Sequence, residues 1–339
     1  MSRALLQICP HDVAPFGGLC ERYEQAAASL DAEVTTVFLA PPEGPPLPKA
    51  EYLGFADLQD TGALRRELAR YADKSWDMVL CHRYRPYWAV ARSALANNAC
   101  TVLAHEFGLL SRWQRRLSRR LFARRFHFAG VSPAVAAELG AVTGEASVLP
   151  NVLDVANAQA RLRSRRDALG ALGLGPGPIT VGVVGRLHYK KRPQLALRAF
   201  KSFQAVHTDA RLVFVGPGEQ DGLAGPGVHF AGAVDGAAEL LAAFDVLLHP
   251  TQIEAFGMVP LEAMFAGVPV VTLQQGGPAY VLGELGVYPR DDSAEAFAAA
   301  MLQAVELDSQ ALVAAGRERV LQMFSISALA GALDQLLTR

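Results

Sequence analysis

The stretch His249-Pro-Thr-Gln-Ile-Glu-Ala-Phe-Gly-Met-Val-Pro-Leu-Glu-Ala-Met-Phe-Ala-Gly-Val-Pro-Val-Val-Thr272 continues a short apolar run, Asp245–His249. That run is rich in Val and Leu without polar alternation, the pattern of a strand buried on both faces of a parallel sheet. The residues after it read as a turn and then a helix. Pro260 suits the helix's first turn, Gly267 its C-terminal cap, and Pro269 the position just beyond. The amides of Phe256, Gly257 and Met258 then fall at or near the helix N-terminus, where backbone N–H groups and the helix dipole bind an anion such as a diphosphate. Glu254 lies in the turn and Glu262 inside the helix. Carboxylates that flank an anion site repel the phosphates and are suited to accept hydrogen bonds from sugar hydroxyls on either side.

Outward from this stretch the same strand–turn–helix unit recurs. Strands are predicted at Ile179–Val184, Leu212–Val215, Val228–Phe230, Val246–His249 and Val268–Thr272 in the second half. The first half offers Ala4–Cys9, Val34–Leu39, Met78–Cys81, Thr101–Ala104, Phe128–Val131 and Ser147–Leu149. Helical patterns between them include Leu19–Ser29, Gly62–Tyr71, Pro133–Leu139, Gln194–Val206 and Ala237–Ala243, which makes βαβ units. The series restarts after residues 161–178, Arg-rich and then Gly/Pro-rich, which read as a linker. The expected fold is α/β: two Rossmann-like doubly wound domains, residues 1–156 and 157–324, facing a central cleft. Ligands of such sheets bind at the carboxyl ends of the strands. The final stretch, residues 325–339, is expected to be a helix that crosses back onto the first domain.

The composition excludes several classes. Of 339 residues, 51% are hydrophobic and 19% charged, which excludes a mainly disordered chain. The net charge of −1 argues against a general nucleic-acid binder, although residues 1–170 carry +4 and the remainder −5. Cys9, Cys20, Cys81 and Cys100 form no C-x-x-C pair and point to reduced, buried thiols rather than a disulfide framework or zinc site. The N-terminal nine residues are too quickly interrupted for a signal peptide. The longest uncharged run, residues 263–283, is broken by Gly and Pro and is no membrane span. The expected location is cytoplasmic.

Three further elements carry chemistry. Val181-Gly-Val-Val-Gly-Arg-Leu-His-Tyr-Lys-Lys-Arg-Pro193 is a strand followed by a basic loop. Arg186 and Lys191 could converge there on a diphosphate and stabilise the charge that builds on it as it leaves. Lys190 and Arg192 read better as solvated loop residues. Pro15-Phe-Gly-Gly-Leu19 places Gly17 and Gly18 before the first helix, where backbone can approach a phosphate. Gly216 follows a later strand, and His105 ends a first-domain strand. His105 reads equally as a hydrogen-bonded structural histidine or as a group near the reacting sugar.

Together these motifs resemble the retaining glycosyltransferases of the GT-B type in glycosyltransferase family 4. The spacing Glu254 to Glu262 looks like that family's E-x7-E motif, and the loop at Arg186–Lys191 is similar to its G-R-L-x-x-x-K-G, with Arg192 in place of the final Gly. The resemblance implies that Glu262 grips the nucleotide ribose and Glu254 the donor sugar. It places Gly17, Gly18 and Gly216 against the donor and His105 near the transfer. It implies front-face transfer from a nucleotide sugar with retention, aided by the departing phosphate. No Asp-x-Asp occurs, and neither cofactor nor metal is expected. The alternatives are a nucleotide-sugar hydrolase or epimerase, a phosphorylase, and a non-catalytic membrane-associated relative. An oxidoreductase is set aside because no G-x-G-x-x-G follows the first strand.

Residues 109–126 read as a basic amphipathic helix. Leu109, Trp113, Leu117 and Leu121 recur every four residues, with Arg112, Arg115, Arg116, Arg119, Arg120, Arg124 and Arg125 over most of the rest. The stripe is expected to pack inward and the arginines to face anionic headgroups or a phosphorylated acceptor. A nearby loop with Tyr84, Arg85 and Trp88 extends that surface. The expected acceptor is a cell-envelope glycan or lipopolysaccharide-type glycolipid, with the chain peripheral on the inner face of the membrane.

Overall fold

The structure is a computed structural model and describes residues 3–12, 16–113, 115, 117 and 125–338. The chain divides into two compact units, Met1–Val152 with Met323–Arg339, and Leu153–Gln322.

The first unit is built on a seven-stranded parallel sheet of order β3-β2-β1-β4-β5-β6-β7. Its strands are β1 (Arg3–Cys9), β2 (Ala32–Phe38), β3 (Ala50–Tyr52), β4 (Met78–His82), β5 (Cys100–Ala104), β6 (Phe126–Gly130) and β7 (Ser147–Val148). Helices α1 (Phe16–Ala28), α2 (Thr61–Leu68), α3 (Tyr84–Ala91) and α4 (Pro133–Thr143) connect them. β4 and β5 are buried at every position, as expected for central strands covered on both faces. All four cysteines are free and buried, with Cys9 and Cys20 packed beside Leu19 and Phe38.

The second unit carries a five-stranded parallel sheet of order β10-β9-β8-β11-β12. Its strands are β8 (Thr180–Val184), β9 (Arg211–Val215), β10 (Val228–Gly232), β11 (Val246–His249) and β12 (Val270–Thr272). Its helices are α5 (Val155–Arg161), α6 (Arg165–Ala171), α7 (Pro193–Gln204), α8 (Met258–Ala266), α9 (Gly276–Leu282), α10 (Ala294–Ala304) and α11 (Ser309–Met323). Phe200 and Phe203 of α7 meet Phe297 and Met301 of α10 over Leu212, Phe214 and Leu248 of the sheet. The closing helix α12 (Ile326–Leu337) packs on α1 and buries Leu329 and Leu333, so the chain end belongs to the first unit.

Three expectations need correction. Residues 161–178 are not a plain linker. Ser164 caps α6 by accepting from the Asp167 amide, and α6 buries Ala168 and Leu169 and packs on the 3-10 turns Ala237–Ala243. Only the Gly/Pro segment after it remains loop. Gly17 and Gly18 do not precede the first helix but lie in its first turn. The stripe of the basic segment does not pack inward as a unit. Leu109 is buried in a turn made by Gly108, and Arg115 donates to the Leu109 carbonyl at 3.1 Å, whereas Trp113 is 70% exposed and Leu117 47% exposed. Arg116, Arg119, Arg120, Leu121 and Arg124 lie outside the described residues. No described helix is long and apolar enough to cross a membrane.

Candidate active site

The loops at the carboxyl ends of β8, β9, β11 and β12 assemble the site in the second unit. After β11, Pro250 and Thr251 lead into the turn that carries Glu254, and Gly257 caps α8 in the left-handed region. Phe256 is buried, so the backbone at 256–258 is fixed from beneath. The next helix pins the same turn. The Gly277 amide donates to the Glu254 carbonyl at 2.9 Å, and a Cβ on Gly277 would stand 2.2 Å from Phe256 Cα. Gly276 and Gly277 are therefore positioning residues for Glu254. Their hold on Glu254 was not legible in the sequence, since a Gly pair alone signals only a turn. Gly267 closes α8 as its C-cap, and Glu262 lies in the helix, half-buried.

The basic loop after β8 reaches this turn. Lys191, and not the exposed Lys190, ion-pairs through Nζ with Glu254 Oε2. Burial pushes the Glu254 carboxyl up, but the neighbouring His249 imidazole and the Lys191 charge outweigh it and bring it down to about 2. Glu254 is therefore an anion throughout the physiological range. His249, the last residue of β11, is buried, with Nε2 3.6 Å from Glu254 Oε2. Burial lowers its basicity, so it is neutral. Arg186 is exposed on the same loop and has no ion-pair partner among the described residues.

Arg192 departs from the expectation of a solvated loop residue. It is left-handed at φ +53°, which accounts for glycine as the residue expected there. Its guanidinium donates to Asp292 at 2.6 Å and to the Pro250 carbonyl at 3.3 Å, tying the basic loop to the Glu254 turn. Gly216 has a structural task of its own. At φ +142° a Cβ there would lie 2.1 Å from the Gly185 carbonyl oxygen, and the Gly185 amide donates to the Val215 carbonyl at 2.8 Å. The close approach of the two loops sets where Arg186 starts.

Within the first unit, His105 follows β5 and lies 2.9 Å, Nε2 to Nδ1, from fully buried His82 at the end of β4. The rings are nearly parallel. Burial lowers His82 to about 3 and takes His105 well below the ordinary histidine value, with His82 and Arg83 pushing it further. Both are neutral at pH 7. Gly18 is exposed at the start of α1. Elsewhere in this unit Tyr84, Arg85, Trp88, Arg112, Trp113, Arg115 and Leu117 line a hollow of about 430 Å³, with Arg115 over the Tyr84 ring at 4.5 Å.

Residues 178–306 match the family model described as Glycosyl transferases group 1. These residues are a glycosyl transferases group 1 domain. They contain both loops of the Lys191–Glu254 pair, and the chain is a glycosyltransferase. It is 28% identical over 290 residues to the glycogen synthase of Mycobacterium tuberculosis (strain ATCC 25618 / H37Rv), covering 78% of this chain and 69% of the relative. The sucrose-phosphate synthase of Thermosynechococcus elongatus superposes with a TM-score of 0.77 at 19% identity, over 99% of this chain and 98% of its own. Anabaena HepE in complex with UDP gives 0.77 at 17%, over 99% of each chain. These likenesses are of fold, two parallel-sheet α/β units of the GT-B class.

Proposed function

We propose that this glycosyltransferase moves a sugar, with retention, from a nucleotide-sugar donor to a glycan or glycolipid of the cell envelope. The observation that carries the reading is the Lys191–Glu254 ion pair beside the N-terminus of α8, inside the family match. The Phe256–Met258 amides and the Arg186 and Lys191 cations receive the diphosphate. Glu254 accepts hydrogen bonds from the sugar's hydroxyls and Glu262 from the ribose, and Gly216 borders the nucleotide. The acceptor hydroxyl attacks the face the diphosphate leaves, the glycosidic C–O bond breaks, and the acceptor proton passes to the departing phosphate oxygen. The leaving charge is met by protein cations rather than a metal ion.

In this scheme His105 orients the transfer by hydrogen bonding and does not serve as the base, since an efficient base has a pKa near the working pH and burial takes His105 well below it. HepE was solved with UDP and with UDP-glucose, which supports a uridine donor here. The aromatic and cationic hollow around Trp88, Trp113 and Arg115 suits an anionic amphiphile and supports a glycolipid acceptor at a membrane surface.

The test is calorimetry and thermal shift with UDP, GDP, ADP and CMP, with and without magnesium. The expected result is one clear binder, insensitive to magnesium, raising Tm by mass action. Its activated sugars are then assayed for transfer and for free-sugar release. Release without transfer would replace the transferase reading by a hydrolase. No binder at millimolar concentration would shift the weight to a non-catalytic relative.

A further inference from the structure

We propose that His249 is a positioning residue for Glu254, the partner that takes over its carboxylate when the donor's diphosphate draws Lys191 away. The inference rests on the donor-site reading above.

Lys191 and His249 address one atom. Lys191 Nζ ion-pairs with Glu254 Oε2, and His249 Nε2 lies 3.6 Å from that same oxygen. The His249 distance is too long for a hydrogen bond. Nε2 is fully buried and has no hydrogen-bond partner among the described residues. A buried ring nitrogen without a partner is costly. Here it sits a few tenths of an ångström beyond hydrogen-bond reach of an acceptor that the Lys191 cation holds.

Lys191 faces two demands, Glu254 in the protein alone and a diphosphate in the complex. Its flexible stem allows it to answer either. Once Nζ turns toward phosphate, the carboxylate of Glu254, 24% exposed, needs another donor to keep its orientation toward sugar hydroxyls. A proton on His249 Nε2 supplies it by a small closure.

The surroundings favour a neutral donor over a second cation. The charges acting on His249 are Lys191 and Glu254, and burial is the larger influence, keeping the ring uncharged. Arg192 reaches the adjoining Pro250 carbonyl, but its charge is matched by Asp292. Because His249 ends β11, the sheet fixes its backbone, while Glu254 rides on the turn.

The test uses the whole chain with histidine ring nitrogens labelled by 15N, inorganic pyrophosphate as the anion, and UDP in parallel. His249→Gln assigns the His249 signals. The expected result is a neutral ring protonated at Nε2, whose Nε2 signal moves toward stronger hydrogen bonding as pyrophosphate saturates the site. A ring protonated at Nδ1, or an Nε2 signal unmoved at saturation, overturns the proposal and leaves the donor site standing. Failure of both pyrophosphate and UDP to bind overturns the donor site and this proposal with it. With a donor in hand, His249→Phe should lower kcat roughly 10-fold with KM little changed, and His249→Gln, which keeps an N–H, should restore most of it. Equal activity of the Phe and Gln variants would show that the ring only fills space.

Discussion

Removing a cation from the donor site and removing a hydrogen-bond acceptor from it should change different constants. Lys191→Ala removes the cation that meets the diphosphate and strands Glu254 beside His249. Loss of one preorganised charge at a leaving group costs ~10²–10³ in kcat, so kcat of transfer should fall by that order while the KM for donor changes less. Glu262→Ala should do the reverse, weakening nucleotide affinity about 10-fold, the worth of one hydrogen bond to a charged group. Steady-state kinetics paired with calorimetry separates the two, and unchanged constants in both variants would remove the site assignment. At this scale the sequence was informative where a side chain has a charge to place. Lys191 followed from its register in the loop. His249 and His82 did not, because a histidine at a strand end becomes meaningful only when its neighbour is known, and those neighbours come from a turn and from the adjacent strand.

Among elements, the glycines separate donor contact from loop packing. Gly216→Ala places a methyl 2.1 Å from the Gly185 carbonyl at a backbone angle L-residues avoid. Strain of this kind costs about 1–3 kcal/mol or more, so the urea midpoint should fall and Arg186 should be displaced with its loop. Gly18 is the contrast, since a Cβ there meets nothing nearer than Arg22 Nη2 at 4.0 Å. Gly18→Ala should therefore leave stability unchanged or raise it by up to about 1 kcal/mol, as alanine does in a helix. If donor phosphates approach this backbone, the same methyl should weaken donor affinity without any stability loss, and calorimetry beside urea melts reads both. The strands were legible because parallel βαβ strands are apolar throughout, and β4, β5, β8 and β11 lie where such runs stand. Helix α6 was hidden because arginines dominate its start, and its fold-directing residues are only Ala168 and Leu169. β3, three residues at a sheet edge, is too short for any period to register.

Across the whole molecule, each unit has a titrating centre whose proton uptake in acid opposes folding. His82 in the first unit has a folded pKa of about 3 against an ordinary value of 6.5, caused by burial. Between those values the unfolded chain binds the proton and the folded chain does not. Stability from this group is therefore complete above about pH 6.5 and declines as pH falls toward 3. At ~1.4 kcal/mol per unit, the descent from pH 6.5 to pH 5 costs about 2 kcal/mol. Glu254 in the second unit, held at about 2 against 4.5, adds nothing to that descent, since its contribution is lost only as pH falls below about 4.5. The acid limb should accordingly begin where the buried histidines take up protons, His82 and His105 in the first unit and His249 in the second, and the carboxylate of the Lys191–Glu254 pair should add its loss only at lower pH. Urea melts at pH 7 and pH 5 test the histidine part, with His82→Phe as the comparison. The wild-type midpoint should drop between the two pH values, and the drop should shrink in the variant whatever its absolute stability. An equal drop in both would mean that His82 does not govern the acid response.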